Sequence, residues 1–254
     1  MKKEKIIFEN SKGQKLVGVL YSPDSKDYPI AIFVHEYTSD KNSSKAQKLG
    51  EVLPEKGIGL FAIDLSGRGE SEGKFENTTL TQYIDDLKCA IDEISKRTNK
   101  IGEVGSSLGG LVALQETAKD KRIKLLVLLS PVSTFPHTSR RKEFSPEGVK
   151  EWKEKGYTFT ESGRFGKLKL NYFYYEDGLK YGDYSIFEKI DIPVLIIQGT
   201  ADESIPLEET KELIKHLKNK KLILIKDADH RYTKQQDFDK VMEETKKFFV
   251  EKLK

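Results

Sequence analysis

Two rhythms of apolar and polar residues run along this chain, and the switches between them mark its elements. Residues 5–9 and 15–21 read as two strands joined by a turn at Ser11-Lys12-Gly13, an antiparallel hairpin at a sheet edge. After that the order alternates. Ile30 to Val34 is a continuous apolar run of the buried-strand type, and Ser43 to Lys56 carries Ala46, Leu49, Val52 and Leu53 at helical spacing. Gly57 to Ile63 is the next strand. Thr79-Leu80-Thr81-Gln82 matches a capping box and opens a helix running to about Lys96. Lys100 to Val104 is a short strand, followed by Leu108, Leu111, Val112, Leu114 and Ala118 at helical spacing. Lys124 to Leu129 and Pro193 to Gln198 predict strands. Leu207 to Leu217 predicts a helix, Lys221 to Ile225 a strand and Asp237 to Lys252 a closing amphipathic helix. Strands that alternate with helices need crossover connections, so the pattern predicts an α/β fold with a mainly parallel sheet and helices on both faces.

Residues 131–190 break the alternation and are richer in aromatic and charged side chains. A stretch that long inside a compact domain is usually functional. It divides the chain into a core, 1–130 with 191–254, and an inserted lid or cap, 131–190. Within the insertion, Glu147 to Lys155 predicts a helix, and the stretch from Tyr157 to Tyr175 a hairpin turning near Ser162-Gly163. The aromatic run Tyr172-Phe173-Tyr174-Tyr175 either lines a pocket or packs the lid onto the domain.

A chain of 254 residues suffices for one such domain. Its 44 basic and 41 acidic residues nearly cancel, and the basic ones are scattered, so no nucleic-acid footprint is expected. The first ten residues lack an apolar signal segment, and no run reaches membrane-spanning length. With one cysteine no intrachain disulfide can form, which fits a cytoplasmic protein. Cys89 sits off the apolar face of its helix and reads as incidental. High Lys and Glu content with two Met points towards heat tolerance. No His/Cys/carboxylate cluster has ligand spacing and no phosphate-cradling loop precedes a helix, so neither metal nor organic cofactor is expected.

The chemistry is expected at Val104-Gly105-Ser106-Ser107-Leu108-Gly109-Gly110, where a serine between glycines falls on the hinge from strand to helix. A side chain in so tight a turn needs small neighbours two residues away, and Gly105 and Gly109 supply them. The following helix aims its free N–H groups and positive dipole end at the same place. The expression G-x-S-x-G arises by chance in roughly one chain of this length in ten, and Gly69-Glu70-Ser71-Glu72-Gly73 repeats it here without a strand directly before it. Ser71 therefore reads as a loop residue and Ser107 as the nucleophile.

A serine hydroxyl needs a base, normally a histidine steered by a carboxylate. Of four histidines, His216 reads as solvent-facing on its helix, His137 lies in the insertion, and His35 ends the third strand, where it shapes the next loop. His230 follows the last strand in Asp227-Ala228-Asp229-His230, at the carboxyl edge where open α/β sheets keep their sites. Asp202, just past the preceding strand, is the first choice of carboxylate. Asp227 and Asp229, close to His230 in sequence, remain second choices. For the oxyanion hole, the backbone N–H of Leu108 is one donor, and Tyr37, in the loop after the third strand, is the chosen second.

The His-x-x-Thr loop at 35–38, the run Asp64 to Asn77, the serine turn, Gly199-Thr200-Ala201-Asp202 and Ala228-Asp229-His230 together resemble the α/β-hydrolase superfamily. Within it the chain looks like the cinnamoyl (feruloyl) esterases and related bacterial carboxylesterases, and Gly67 to Asn77 is the most discriminating stretch. The resemblance implies a triad of Ser107, Asp202 and His230, an oxyanion hole at Tyr37 and Leu108, and a lid tyrosine such as Tyr174 bound to a phenolic ester. It implies a serine carboxylesterase that acts through an acyl-enzyme on small-molecule esters, with no nucleic-acid or membrane partner and with a homodimer left open. Lipid, peptide or C–C bond hydrolysis by the same triad is the alternative, and a non-catalytic binding protein a third. The family usually has glycine after the oxyanion-loop histidine. Glu36 replaces it here, so its carboxylate either turns away from the oxyanion or alters the activity.

Overall fold

A computed structural model describes residues 2–136 and 142–253. In chain order the elements are β1 (Lys2–Glu9), β2 (Lys15–Ser22), β3 (Ile30–Val34), α1 (Ser44–Val52), β4 (Gly59–Ile63), α2 (Leu80–Ile94), β5 (Ile101–Ser106), α3 (Leu108–Thr117) and β6 (Ile123–Leu129). After them come α4 (Pro146–Lys155), β7 (Tyr157–Ser162), β8 (Gly166–Asn171), α5 (Phe173–Gly178), β9 (Val194–Gly199), α6 (Leu207–Leu213), β10 (Lys220–Ile225) and α7 (Gln235–Lys252). Eight strands form one sheet in the order β1-β2-β4-β3-β5-β6-β9-β10. The β1-β2 and β2-β4 pairs are antiparallel and the others parallel.

Strand periodicity decides which helix covers which face. In β3, Ile30, Ile32 and Val34 join Leu87 and Ile91 of α2 and Leu111 and Leu114 of α3, whereas Ala31 and Phe33 join Ala46 and Leu49 of α1 and Val241 and Phe249 of α7. All five residues of β3 are buried, which is why the strand is apolar throughout.

Several element ends differ from the sequence expectation for local reasons. Pro54 lacks an N–H and ends α1 at Val52; a short 3-10 turn follows, and Gly57 takes φ 75° before β4 begins. Thr79 does cap α2, accepting the N–H of Gln82 at 3.0 Å, but the Gln82 amide turns to Asp86 at 2.9 Å, so the box is half formed. The helix predicted to reach Leu217 tightens into a 3-10 turn after Leu213. His216 is half-buried, its ring stacked on Tyr184 with centroids 5.3 Å apart, and so differs from the solvent-facing residue expected.

The described residues between β6 and β9 lie outside the sheet, and β7 and β8 pair only with each other among the described strands. The hairpin turns at 163–165, next to the expected place. Trp152 of α4 is fully buried there and donates its indole N–H to the Leu170 carbonyl at 3.0 Å. Phe144 and Tyr174 pack against it, Phe135 packs against both of them, and this aromatic cluster runs continuously into the main core. In the run 172–175, Tyr174 is buried and Phe173 is exposed. His137 lies outside the described residues.

One buried carboxyl among the described strands breaks the apolar rule. Glu103 of β5 is fully buried, accepting a 2.7 Å hydrogen bond from Thr117. Burial pushes its carboxyl up to about 8, with a smaller contribution from the Glu116 charge. A raised carboxyl pKa favours folding fully below the unfolded value near 4.5 and loses that advantage as pH rises to about 8. Glu103→Gln is therefore expected to gain stability relative to wild type across this window, by about 3 kcal/mol between pH 5 and 8. Denaturant titrations of both proteins at those two pH values check it; a difference that does not change with pH contradicts it.

Candidate active site

Ser107 is the single residue between β5 and α3, with φ 52° and ψ −118°. This left-handed backbone costs a non-glycine residue about 1–3 kcal/mol, and hydrogen bonds hold it there. The Ser107 N–H donates to Leu129 at 3.0 Å, and its carbonyl accepts from Gly110 at 2.8 Å and Val132 at 3.0 Å. The flanking glycines are sterically required. A Cβ on Gly105 would lie 2.4 Å from the Gly109 carbonyl oxygen, and one on Gly109 2.2 Å from that of Val34. Ser71, by contrast, staples a loop: its hydroxyl donates to the Asp64 carbonyl at 2.7 Å and accepts the Val17 N–H at 2.9 Å.

The loops after β9 and β10 bring Asp202 and His230 to Ser107. His230 Nε2 lies 3.0 Å from Ser107 Oγ, and Nδ1 lies 2.8 Å from Asp202 Oδ2. Asp202 Oδ1 accepts the N–H groups of Ser204 at 2.9 Å and Ile205 at 2.8 Å, and Oδ2 accepts the Gln198 amide at 2.7 Å. Burial pushes the Asp202 carboxyl up, but the hydrogen bond and charge of His230 and the two backbone N–H groups hold it below the usual range. An ionised Asp202 accepts only, which assigns the proton to Nδ1 and leaves the Nε2 lone pair facing the Ser107 hydroxyl. Both ring nitrogens of His230 are thus engaged. Asp229, one of the second choices, turns instead to the N–H groups of Arg231 at 3.0 Å and Thr233 at 2.9 Å. Asp227 sits in the same loop at φ 56°, its N–H donated to Thr200.

His35 is buried and shapes the loop after β3. Its Nδ1 is 2.8 Å from the Glu36 carbonyl, and Nε2 accepts the Leu65 N–H at 3.2 Å. Burial lowers its pKa, so the ring is neutral and acts as a spacer. Leu108 opens α3, so its N–H has no partner within the helix, and the residue lines the same opening as Ser107. Tyr37 lines that opening from the other side. Glu36 does not lie bare beside it: its Oε1 accepts Ser106 Oγ at 2.9 Å and Lys45 Nζ at 2.7 Å.

A cavity of about 590 Å³ opens over Ser107 and His230. Tyr37, Leu108, Val132, Phe144 and Tyr174 form an apolar side. Tyr37 stands 5.8 Å from Tyr174 and 6.4 Å from Phe144, centroid to centroid. The hairpin turn is tied down beside this wall, with Arg164 Nη1 2.7 Å from Asp40 Oδ1 and Ser162 Oγ donating to the Thr38 carbonyl at 3.3 Å. The sequence reading missed Phe144, the Arg164–Asp40 tie and the Lys45–Glu36 pair. The first two lie where periodicity is absent; a lysine in the first turn of α1, against the helix dipole, was the one available signal for the third. Among the described residues, no group of three or more His, Cys, Asp or Glu side chains is placed to hold a metal ion, and no helix is long and apolar enough to cross a membrane.

This sheet order, with a strained serine turn at the carboxyl edge, defines an α/β-hydrolase. Residues 30–159 match the family model described as serine aminopeptidase, S33, and the chain belongs to that family of hydrolases. The ferulic-acid-bound Est1E of Butyrivibrio proteoclasticus superposes with a TM-score of 0.85 at 27% identity, covering 97% of this chain and 98% of that one. YfhR of Escherichia coli K12 is 26% identical over 236 residues, 89% of this chain and 73% of YfhR. Human mitochondrial palmitoyl-protein thioesterase ABHD10 is 26% identical over 225 residues, 82% of this chain and 69% of the relative.

Proposed function

We propose that this chain is a serine carboxylic-ester hydrolase. The observation that carries the reading is the unbroken hydrogen-bonded line Asp202–His230–Ser107 at the floor of the cavity. Ser107 Oγ attacks the ester carbonyl while His230 Nε2 takes its proton, and Asp202 stabilises the imidazolium that forms. The N–H groups of Leu108 and Tyr37 hold the oxyanion. His230 then protonates the leaving alcohol, giving the acyl-enzyme. Water activated by the same imidazole releases the acid.

The substrate is a small acyl ester whose acid portion lies against Tyr37, Phe144 and Tyr174, with 131–190 acting as the lid. Aromatic faces of this kind suit a cinnamoyl-type acid, and the likeness to the ferulic-acid-bound Est1E supports that choice. A second reading, hydrolysis of fatty-acyl thioesters, is favoured by the likeness to ABHD10. A panel of p-nitrophenyl butyrate, methyl ferulate, a monoacylglycerol, an aminoacyl amide and a palmitoyl thioester separates the readings. Turnover of the first two is expected. A preference for the thioester selects the second reading, and no turnover together with no fluorophosphonate labelling of Ser107 rejects both.

A further inference from the structure

We propose that Glu36 and Lys45 form an electrostatic positioning pair for the oxyanion hole: Glu36 ties the oxyanion loop to the serine turn, and Lys45 cancels the charge this tie brings to the cavity. The role rests on the reading of Ser107 as nucleophile. One oxygen, Glu36 Oε1, joins three elements, lying 2.9 Å from Ser106 Oγ at the end of β5 and 2.7 Å from Lys45 Nζ in α1. Glu36 immediately precedes Tyr37, and Ser106 immediately precedes Ser107. The tie therefore sets the distance between the loop and the turn that carry the two N–H donors.

The tie places a charge where the chemistry disfavours one. Burial pushes the Glu36 carboxyl up, but the Lys45 charge and hydrogen bond, together with the Ser106 hydroxyl, bring it down to about 2. Glu36 is among the residues that line the cavity over Ser107. An uncompensated carboxylate in a water-poor cleft opposes the oxyanion of a tetrahedral intermediate. Lys45 supplies the compensation, and its ammonium also lies over the Tyr232 ring, 5.9 Å from the centroid. With Ser43 as cap, Lys45 is the second residue of α1, where the helix dipole disfavours a cation, and its side chain is only 8% exposed. The other oxygen of Glu36 is buried and makes no hydrogen bond with the described residues, so the charge is balanced through Lys45.

The test compares wild type, Lys45→Met, Glu36→Gln and Glu36→Gln/Lys45→Met, each well below its unfolding temperature, with a p-nitrophenyl ester from pH 6 to 9. Lys45→Met is expected to lose about 10-fold in kcat with little change in KM. The deficit grows with pH as the freed carboxyl ionises; the groups facing it are Lys45 of α1, Ser106 of β5, His35 of its own loop and His230 across the cavity. Glu36→Gln, whose amide still accepts from Ser106, stays within about 3-fold of wild type. The double variant recovers most of the loss at all pH values. If Lys45→Met does not fold, Lys45→Arg against Lys45→Gln carries the comparison, with the rate kept only by arginine. Wild-type kcat in Lys45→Met, or a loss that Glu36→Gln leaves unrelieved, overturns the role. Failure of wild-type Ser107 to label with a fluorophosphonate removes the nucleophile reading itself, and this role with it.

Discussion

Ser107→Ala is expected to lower kcat for p-nitrophenyl butyrate by at least about 10⁴-fold and to abolish fluorophosphonate labelling, with the fold intact. The hydroxyl is the one atom in the line that bonds to the carbonyl carbon. Without it only water bound near the proposed Leu108 and Tyr37 donors remains to attack. His230→Ala is expected to cost a similar factor and, added to Ser107→Ala, almost nothing more, because base and nucleophile act as a unit. Stability separates chemistry from damage. Alanine keeps a Cβ at φ 52°, so the strain stays, whereas Ser107→Gly relieves it and should be more stable than Ser107→Ala by about 1 kcal/mol. Steady-state kinetics, intact-protein mass after labelling and thermal unfolding read the three quantities. Hydrolysis in Ser107→Ala within 10-fold of wild type would falsify the nucleophile assignment.

How much of this was legible in the chain follows from where the constraints are local. The strands β3, β6 and β9 are buried along nearly their whole length, so they wrote themselves as largely apolar runs. Ser107 was legible because its glycines are demanded by backbone contacts within a few residues and at β3. Asp202 and His230 were legible because parallel strands put the loops that follow them at one edge. In the excursion the helix α4 and the hairpin were legible and the aromatic packing was not, since Trp152, Phe144 and Tyr174 are held by one another's rings rather than by a period. Nor was the fate of Glu36. Its spacing to Lys45 says nothing of direction, and only the packing of α1 against the loop after β3 turns the carboxylate onto Ser106. His216 read as exposed because its stacking partner, Tyr184, belongs to the unperiodic segment.

Gly109→Ala is the second large expected effect, and it ties stability to chemistry. Gly109 is the second residue of α3, where alanine by itself would favour the helix by about 1 kcal/mol. The added Cβ, however, would meet the Val34 carbonyl oxygen at 2.2 Å and that of His35 at 2.7 Å. Both are backbone atoms, so no rotamer change relieves the contact. Helix α3 must move away from the end of β3, or β3 from α3, at a cost of about 3 kcal/mol or more. The same shift parts the two proposed oxyanion donors. Leu108 adjoins Gly109, and the loop carrying Tyr37 starts at His35. A misplacement of about 1 Å at a reacting centre is worth on the order of 100-fold in rate, so kcat should fall that far even well below the unfolding temperature. Gly163 is the control, because nothing lies within 4 Å of a Cβ built there; Gly163→Ala is expected to leave stability nearly unchanged. If Gly109→Ala kept both the wild-type Tm and kcat, the contact between α3 and β3 would not be what spaces the donors. The Ser106–Glu36–Lys45 tie would then have to set that distance alone, and breaking it with Glu36→Ala should produce the loss that Gly109→Ala did not.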